Sequence, residues 1–258
     1  MNRSDIIHLT EEIGFLPESK FGQNFLCDED SCKRIVDLCE LRPGDKVLEI
    51  GPGLGALTEE LTACDIDLTA IEIDKRLAEY IDITYGCRVI ASDYTKLDAE
   101  DYNASMIDVA VSNVPYYLMT PIMKKLITEL SSSRRLVLMV EKEALARILA
   151  KPCTKQYGPL SILCSLYGDV TTVFDLPGNM YYPMPKTTSS VITFTRKDCI
   201  VPLDGKFAAF LESAFRNRRK KLLNNVDIDK EKLFSLGYSE QVRAEELSPS
   251  DFARIYMV

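Results

Sequence analysis

Asn113-Val114-Pro115-Tyr116 is the segment of this chain best suited to chemistry on a planar amine. An amino group conjugated to a ring is a poor nucleophile, because its lone pair is delocalised. The Asn113 side-chain carbonyl and a backbone carbonyl near Val114 can each accept one of its hydrogens. Pinning both hydrogens steers the lone pair toward an electrophile. Tyr116 can stack on the ring, worth ~1–3 kcal/mol by analogy with base–aromatic stacking. Taken alone, an ordinary Asn-x-Pro turn after a strand accounts for the segment about as well.

Three further features point to a nucleoside-type ligand. Glu49-Ile50-Gly51-Pro52-Gly53-Leu54-Gly55 follows a short apolar strand and opens a helix. Glycines there let the backbone approach a ligand, and the helix start offers free N–H groups. The G-x-G-x-G spacing fits a pyrophosphate poorly. Glu72 ends the next strand, where a carboxylate can accept from both hydroxyls of a ribose. Asp93 ends the third strand and can accept from an adenine amino group, although a helix cap accounts for it equally well.

The remaining composition excludes several chemistries. The eight cysteines form no C-x-x-C pair and His8 is the only histidine, so no metal site is expected. Most of the cysteines sit among apolar residues and read as buried thiols of a cytoplasmic protein. No apolar run of membrane-spanning length and no signal-peptide pattern is present, so no membrane association is expected. No coiled-coil or apolar self-association stripe appears, and a monomer is expected. The formal net charge is −8, which argues against a uniformly basic nucleic-acid binder. A local basic patch is still compatible with it.

These side chains need a scaffold. Strands are expected at 46–50, 68–73, 88–91, 107–112, 135–141, 169–176 and 189–196. Helices are expected at 29–40, 56–62, 75–85, 121–130, 142–150 and 160–167. Such alternation implies an α/β fold with a parallel sheet covered on both faces, and ligands bind at the carboxyl ends of its strands. Residues 1–197 then form the catalytic domain. Residues 198–258 form a small all-helical domain, with helices near 206–223, 229–236 and 248–256. That tail is neutral overall, yet Arg216, Arg218, Arg219, Lys220 and Lys221 place five cations in six positions.

With these motifs in hand, the sequence resembles the ribosomal RNA small-subunit adenine N6,N6-dimethyltransferases along nearly its whole length. The residues that carry the resemblance are Lys20-Phe21-Gly22-Gln23-Asn24-Phe25-Leu26, Glu49 to Gly55, Ile71 to Asp74 and Asn113 to Tyr116. Further on come Glu141-Lys142-Glu143, Tyr181 to Lys186, Arg218-Arg219-Lys220 and Arg243 to Ser248. The resemblance implies a Rossmann-like methyltransferase that uses S-adenosylmethionine (SAM). It implies SAM contacts at Asn24, Leu26, Gly51, Gly53, Glu72, Asp93 and Asn113, and a target-adenine clamp at Asn113, Pro115 and Tyr116. Tyr181 is then a second aromatic near the flipped base, and Arg216, Arg218, Arg219, Lys220 and Lys221 are RNA contacts. The implied partner is small-subunit rRNA in a pre-ribosomal particle. Tyr117 departs from the polar residue common in the family, and packing under the loop is its expected role. Three other readings stand beside this one: a 23S-type rRNA adenine methyltransferase, a non-catalytic ribosome-assembly factor that binds RNA, and a small-molecule or protein N-methyltransferase.

Overall fold

The computed structural model describes residues 1–17 and 22–257. Lys20 and Phe21, which open the string noted above, lie outside the described residues, as do Glu18 and Ser19.

Five parallel strands run from one edge of the sheet past its centre: β2 (Lys46–Ile50), β3 (Asp67–Glu72), β4 (Arg88–Ala91), β5 (Val109–Asn113) and β6 (Arg135–Glu141). Val47, Leu48, Val109, Ala110, Val111, Val137 and Leu138 are all fully buried. Near-continuous apolar runs of this kind are what a sheet covered on both faces demands. The sheet is mixed rather than wholly parallel, because β9 (Ser189–Arg196) joins β6 antiparallel, and β7 (Gly168–Leu176) lies beyond it. The strand order is β4-β3-β2-β5-β6-β9-β7. Order therefore reverses between β2 and β5, and the loops leaving those strands diverge. The crevice at such a switch point is where α/β sheets bind ligands.

Helices α2 (Glu29–Asp37), α3 (Ala56–Thr62), α4 (Lys75–Tyr85) and α5 (Met119–Glu129) connect or precede these strands, and the short α6 (Leu145–Ile148) follows β6. Asp28 caps α2 by accepting from the Ser31 amide, and Asp74 caps α4 by accepting from the Arg76 amide. Each cap satisfies an N–H that the helix leaves free. Two elements were not legible in the sequence. Helix α1 (Arg3–Glu12) is held by a capping box between Asn2 and Asp5, and it buries Ile6 completely. A two-stranded ribbon pairs β1 (Phe25–Leu26) with β8 (Tyr181–Tyr182), setting Phe25 opposite Tyr182 and Leu26 opposite Tyr181.

The chain divides into two compact units. One comprises Met1–Ile122, Ser132–Lys142 and Thr171–Thr195, and the other Met123–Ser131, Glu143–Val170 and Arg196–Val258. The second unit thus draws on segments upstream of the tail. It contains α7 (Pro159–Tyr167), α8 (Gly205–Phe215), α9 (Lys230–Ser235) and α10 (Pro249–Met257). Helix α8 stops at Phe215, short of the expected 223. The cationic run therefore occupies the turn beyond the helix and not its face.

The turn after β2 is fixed by contacts as much as by dihedrals. Gly53 has φ +60, and a Cβ there would lie 2.8 Å from the Phe25 ring. Its glycine is thus required by a protein contact, with β1 pressed against the turn. Gly53→Ala is expected to cost about 1–3 kcal/mol, from left-handed backbone strain and displacement of Phe25. Urea unfolding checks this, and a change below about 0.5 kcal/mol, the scatter of neutral surface substitutions, would contradict it.

Candidate active site

The carboxyl ends of β2, β3 and β5 open onto a cleft with about 950 Å³ of free space, part of it open to solvent. Asn24, Leu26, Gly51, Gly53, Glu72, Asp93, Asn113 and Pro115 all line it. Ile50, Leu54, Ile71, Leu77, Ile122 and Met139 add apolar surface. Ser112 ties the strand ends together, its hydroxyl donating to the Ile50 carbonyl at 2.8 Å.

Asn113 is the best-defined group. Its Nδ2 donates to the Asn24 main-chain carbonyl at 3.0 Å. A carbonyl oxygen can only accept, so the amide orientation is fixed and Oδ1 is left to accept elsewhere. The next residue is anchored by its amide, Val114 N–H donating to the Met139 carbonyl at 3.1 Å. Among the described residues, no hydrogen bond to the Val114 carbonyl is found. Pro115, with φ −58, then leads into a single turn of 3-10 helix that begins at Tyr116. The Tyr116 hydroxyl shares a 2.9 Å hydrogen bond with Ser189 Oγ on β9, which ties the half-buried ring to the sheet.

Glu72 is held as firmly. One carboxylate oxygen accepts from the Gly53 amide at 3.1 Å and the other from the Asp74 amide at 3.0 Å. Each oxygen keeps a second lone pair, which suits a diol. Burial raises its pKa against the lowering effect of those two amides. Asp93 does cap a short 3-10 turn, its Oδ1 accepting from the Thr95 amide and hydroxyl at 3.0 and 2.7 Å. Burial pushes this carboxyl up, but the Thr95 hydrogen bonds and nearby Lys96 outweigh it and hold it below the usual carboxylate range. The cap and a cleft-lining position are therefore compatible in one side chain.

Sequence reasoning gave Glu49 no role of its own, yet it lines the cleft and is only 2% exposed. Thr58 donates to its Oε2 at 2.8 Å. Burial pushes its pKa up to about 8, with the Thr58 bond opposing and Glu72 adding to the rise. An acidic residue in a run of apolar strand positions was the available signal. Ligand chemistry fits this donor set. Fixed acceptors for a diol, apolar walls for a purine and three carboxyls for a cationic ligand together suit SAM.

Two expectations need correction. Tyr181 does not face the cleft: it is fully buried in the apolar core with Leu26 and Cys32, and its ring cannot stack on a base in this arrangement. β8 pairing turns it inward, with its hydroxyl beside Ser189. Arg218 is not a free surface cation. Its guanidinium donates to Glu245 and to the Thr154 and Lys155 carbonyls, clamping that loop within the second unit. Arg216, Arg219 and Lys220 are exposed, and Lys221 is half-buried.

Known proteins resemble this arrangement. The family model for ribosomal RNA adenine dimethylase matches residues 14–258. The ribosomal RNA small subunit methyltransferase A of Bacillus cytotoxicus is 36% identical over 270 residues, covering 96% of this chain and 92% of that protein. The protein of the same name from Moorella thermoacetica is 35% identical, covering 96% and 94%. Among solved structures, a dimethyladenosine transferase from Plasmodium falciparum shares the fold with a TM-score of 0.72 at 22% identity, covering 90% of this chain and 96% of that one.

The raised Glu49 carboxyl makes stability depend on pH. Between about 4.5 and about 8 the folded chain keeps this proton while the unfolded chain releases it. Raising pH through that window therefore favours unfolding. Glu72, also raised, acts in the same direction. Glu49→Gln is expected to flatten the decline, as read from urea midpoints across the window. An unchanged pH profile would contradict the buried, protonated state.

Proposed function

The chain belongs to the ribosomal RNA adenine dimethylase family, and from that premise we propose that it dimethylates the N6 of adenines in small-subunit rRNA during ribosome assembly, with SAM as methyl donor. The observation that carries this reading is the Asn113 amide, locked by Asn24 with its acceptor oxygen free at the cleft. The names of the relatives favour the small-subunit substrate over the 23S-type alternative. Intact acceptors at Asn113, Glu72 and Asp93 speak against a factor without catalysis.

SAM, held by Glu72, Asp93, Gly51, Gly53, Leu26 and Asn24, supplies a sulfonium-bound methyl group as the electrophile. Asn113 Oδ1 and the Val114 carbonyl accept hydrogens from the adenine amino group and orient its lone pair. Both acceptors also spread the positive charge that develops on nitrogen. Tyr116, tethered through Ser189, stacks on the extruded base, as base-flipping enzymes require. No strong base is needed, because the alkylated nitrogen loses its extra proton to water. Catalysis on this account is positioning and electrostatics.

The tail supplies docking. Arg216, Arg219, Lys220 and Lys221 form a local cationic patch on a neutral segment, suited to a few phosphates of a preformed particle. Residues 198–258 serve as the RNA-contacting region, with residues 1–197 carrying the chemistry.

Labelled SAM and small subunits lacking the modification test the reading, with naked rRNA and large subunits as controls. Label at N6 of small-subunit adenines is expected, and transfer only to large subunits would contradict it. Asn113→Ala is expected to reduce transfer at least a hundredfold, in the range of a lost transition-state hydrogen bond, without loss of folding. Unchanged turnover would remove Asn113 from the clamp. Replacing Arg216, Arg219 and Lys220 with Ala should weaken particle binding and reduce the salt slope by about one unit per lost phosphate contact. An unmoved slope would exclude the patch.

A further inference from the structure

Tyr117 follows the clamp directly and lies where a loop-packing role would bury it. It is instead 55% exposed, and it lines the cleft. One edge of its ring faces Gly22: a methyl group there would lie 3.5 Å from the Tyr117 Cε1 and 3.4 Å from the Pro115 Cβ. Burial raises the phenol pKa, and the charge of Asp93 adds to the rise. Tyr117 therefore lines the same cleft as Pro115, at the end of β5, and Asp93, beyond the end of β4. It bridges the substrate side of the cleft and the cofactor side. Little of the fold depends on a side chain so exposed.

We propose that Tyr117 is a cofactor-binding residue, its aromatic ring covering SAM at the Asp93 end of the cleft and slowing release of the spent cofactor. The proposal rests on the reading of this cleft as the SAM site. It matters to the reaction because two methyl transfers to one N6 require the spent cofactor to leave and a fresh one to enter between them. A ring that covers the cofactor governs that exchange. A polar side chain at this position provides no such cover.

Stacking of an aromatic on a purine is worth ~1–3 kcal/mol, or about 5-fold to 150-fold in affinity. Calorimetric titration of the full chain with SAM and with S-adenosylhomocysteine reads this directly. Tyr117→Ala is expected to weaken both ligands about tenfold while leaving the urea midpoint unchanged. Tyr117→Phe, which keeps the ring, is expected to bind within about twofold of wild type by the same stacking contact. The chain has no tryptophan, so Tyr117→Trp adds a lone indole whose emission should change on addition of S-adenosylhomocysteine. Equal binding by wild type and Tyr117→Ala, or a silent indole with a bound ligand, would overturn the proposal. Weakening by Tyr117→Phe as large as by Tyr117→Ala would assign the effect to the hydroxyl and overturn the ring's role. Absence of binding by the wild-type chain would instead overturn the SAM reading itself.

Discussion

The hydrogen bond from Asn113 Nδ2 to the Asn24 carbonyl organises the site. It joins the end of β5 to the segment that enters β1, two pieces of chain 89 positions apart. Without it the amide has no preferred face, and the acceptor oxygen has no fixed place. With it, three supports become intelligible together. The β1–β8 ribbon holds the Asn24 segment, Phe25 presses on Gly53, and Gly53 donates to Glu72. The Asn113 amide and the Glu72 carboxylate are therefore parts of one mechanical unit, and a displacement at β1 is felt at both.

The acidic character of the chain takes on a different meaning at this site. Glu49 and Glu72 are almost wholly buried, and burial raises both pKa values. Such groups cost stability at neutral pH unless a cation compensates them. A sulfonium ligand bearing an ammonium group does so, and a neutral ligand does not. The formal net charge of −8 thus counts as ionised a buried carboxyl, Glu49, whose pKa is pushed up to about 8.

Much of the sheet was legible because its strands are apolar runs bounded by Gly, Pro and acidic caps. The expected boundaries of β2, β4, β6 and β9 coincide with those found. Asn113, Glu72 and Asp93 were legible for the same reason, as polar residues at strand ends. What escaped depends on contacts between distant residues. The role of the Asn24 main chain is invisible, because a backbone carbonyl carries no residue-type signal. The inward turn of Tyr181 follows from a two-residue ladder to Leu26, too short for any periodicity. Arg218 looked like its neighbours in sequence, yet its guanidinium meets Glu245, 27 positions away. Helix α1 escaped because its buried face is reduced to Ile6 and Thr10.

A crystal structure with S-adenosylhomocysteine and an adenine nucleotide in the cleft tests the central claim most directly. The distance that decides is the one from adenine N6 to Asn113 Oδ1. The expected result is about 2.7–3.2 Å, a normal hydrogen bond, with Nδ2 still on the Asn24 carbonyl. An N6 beyond hydrogen-bond reach of Asn113, or an amide released from Asn24 in the complex, would contradict the account.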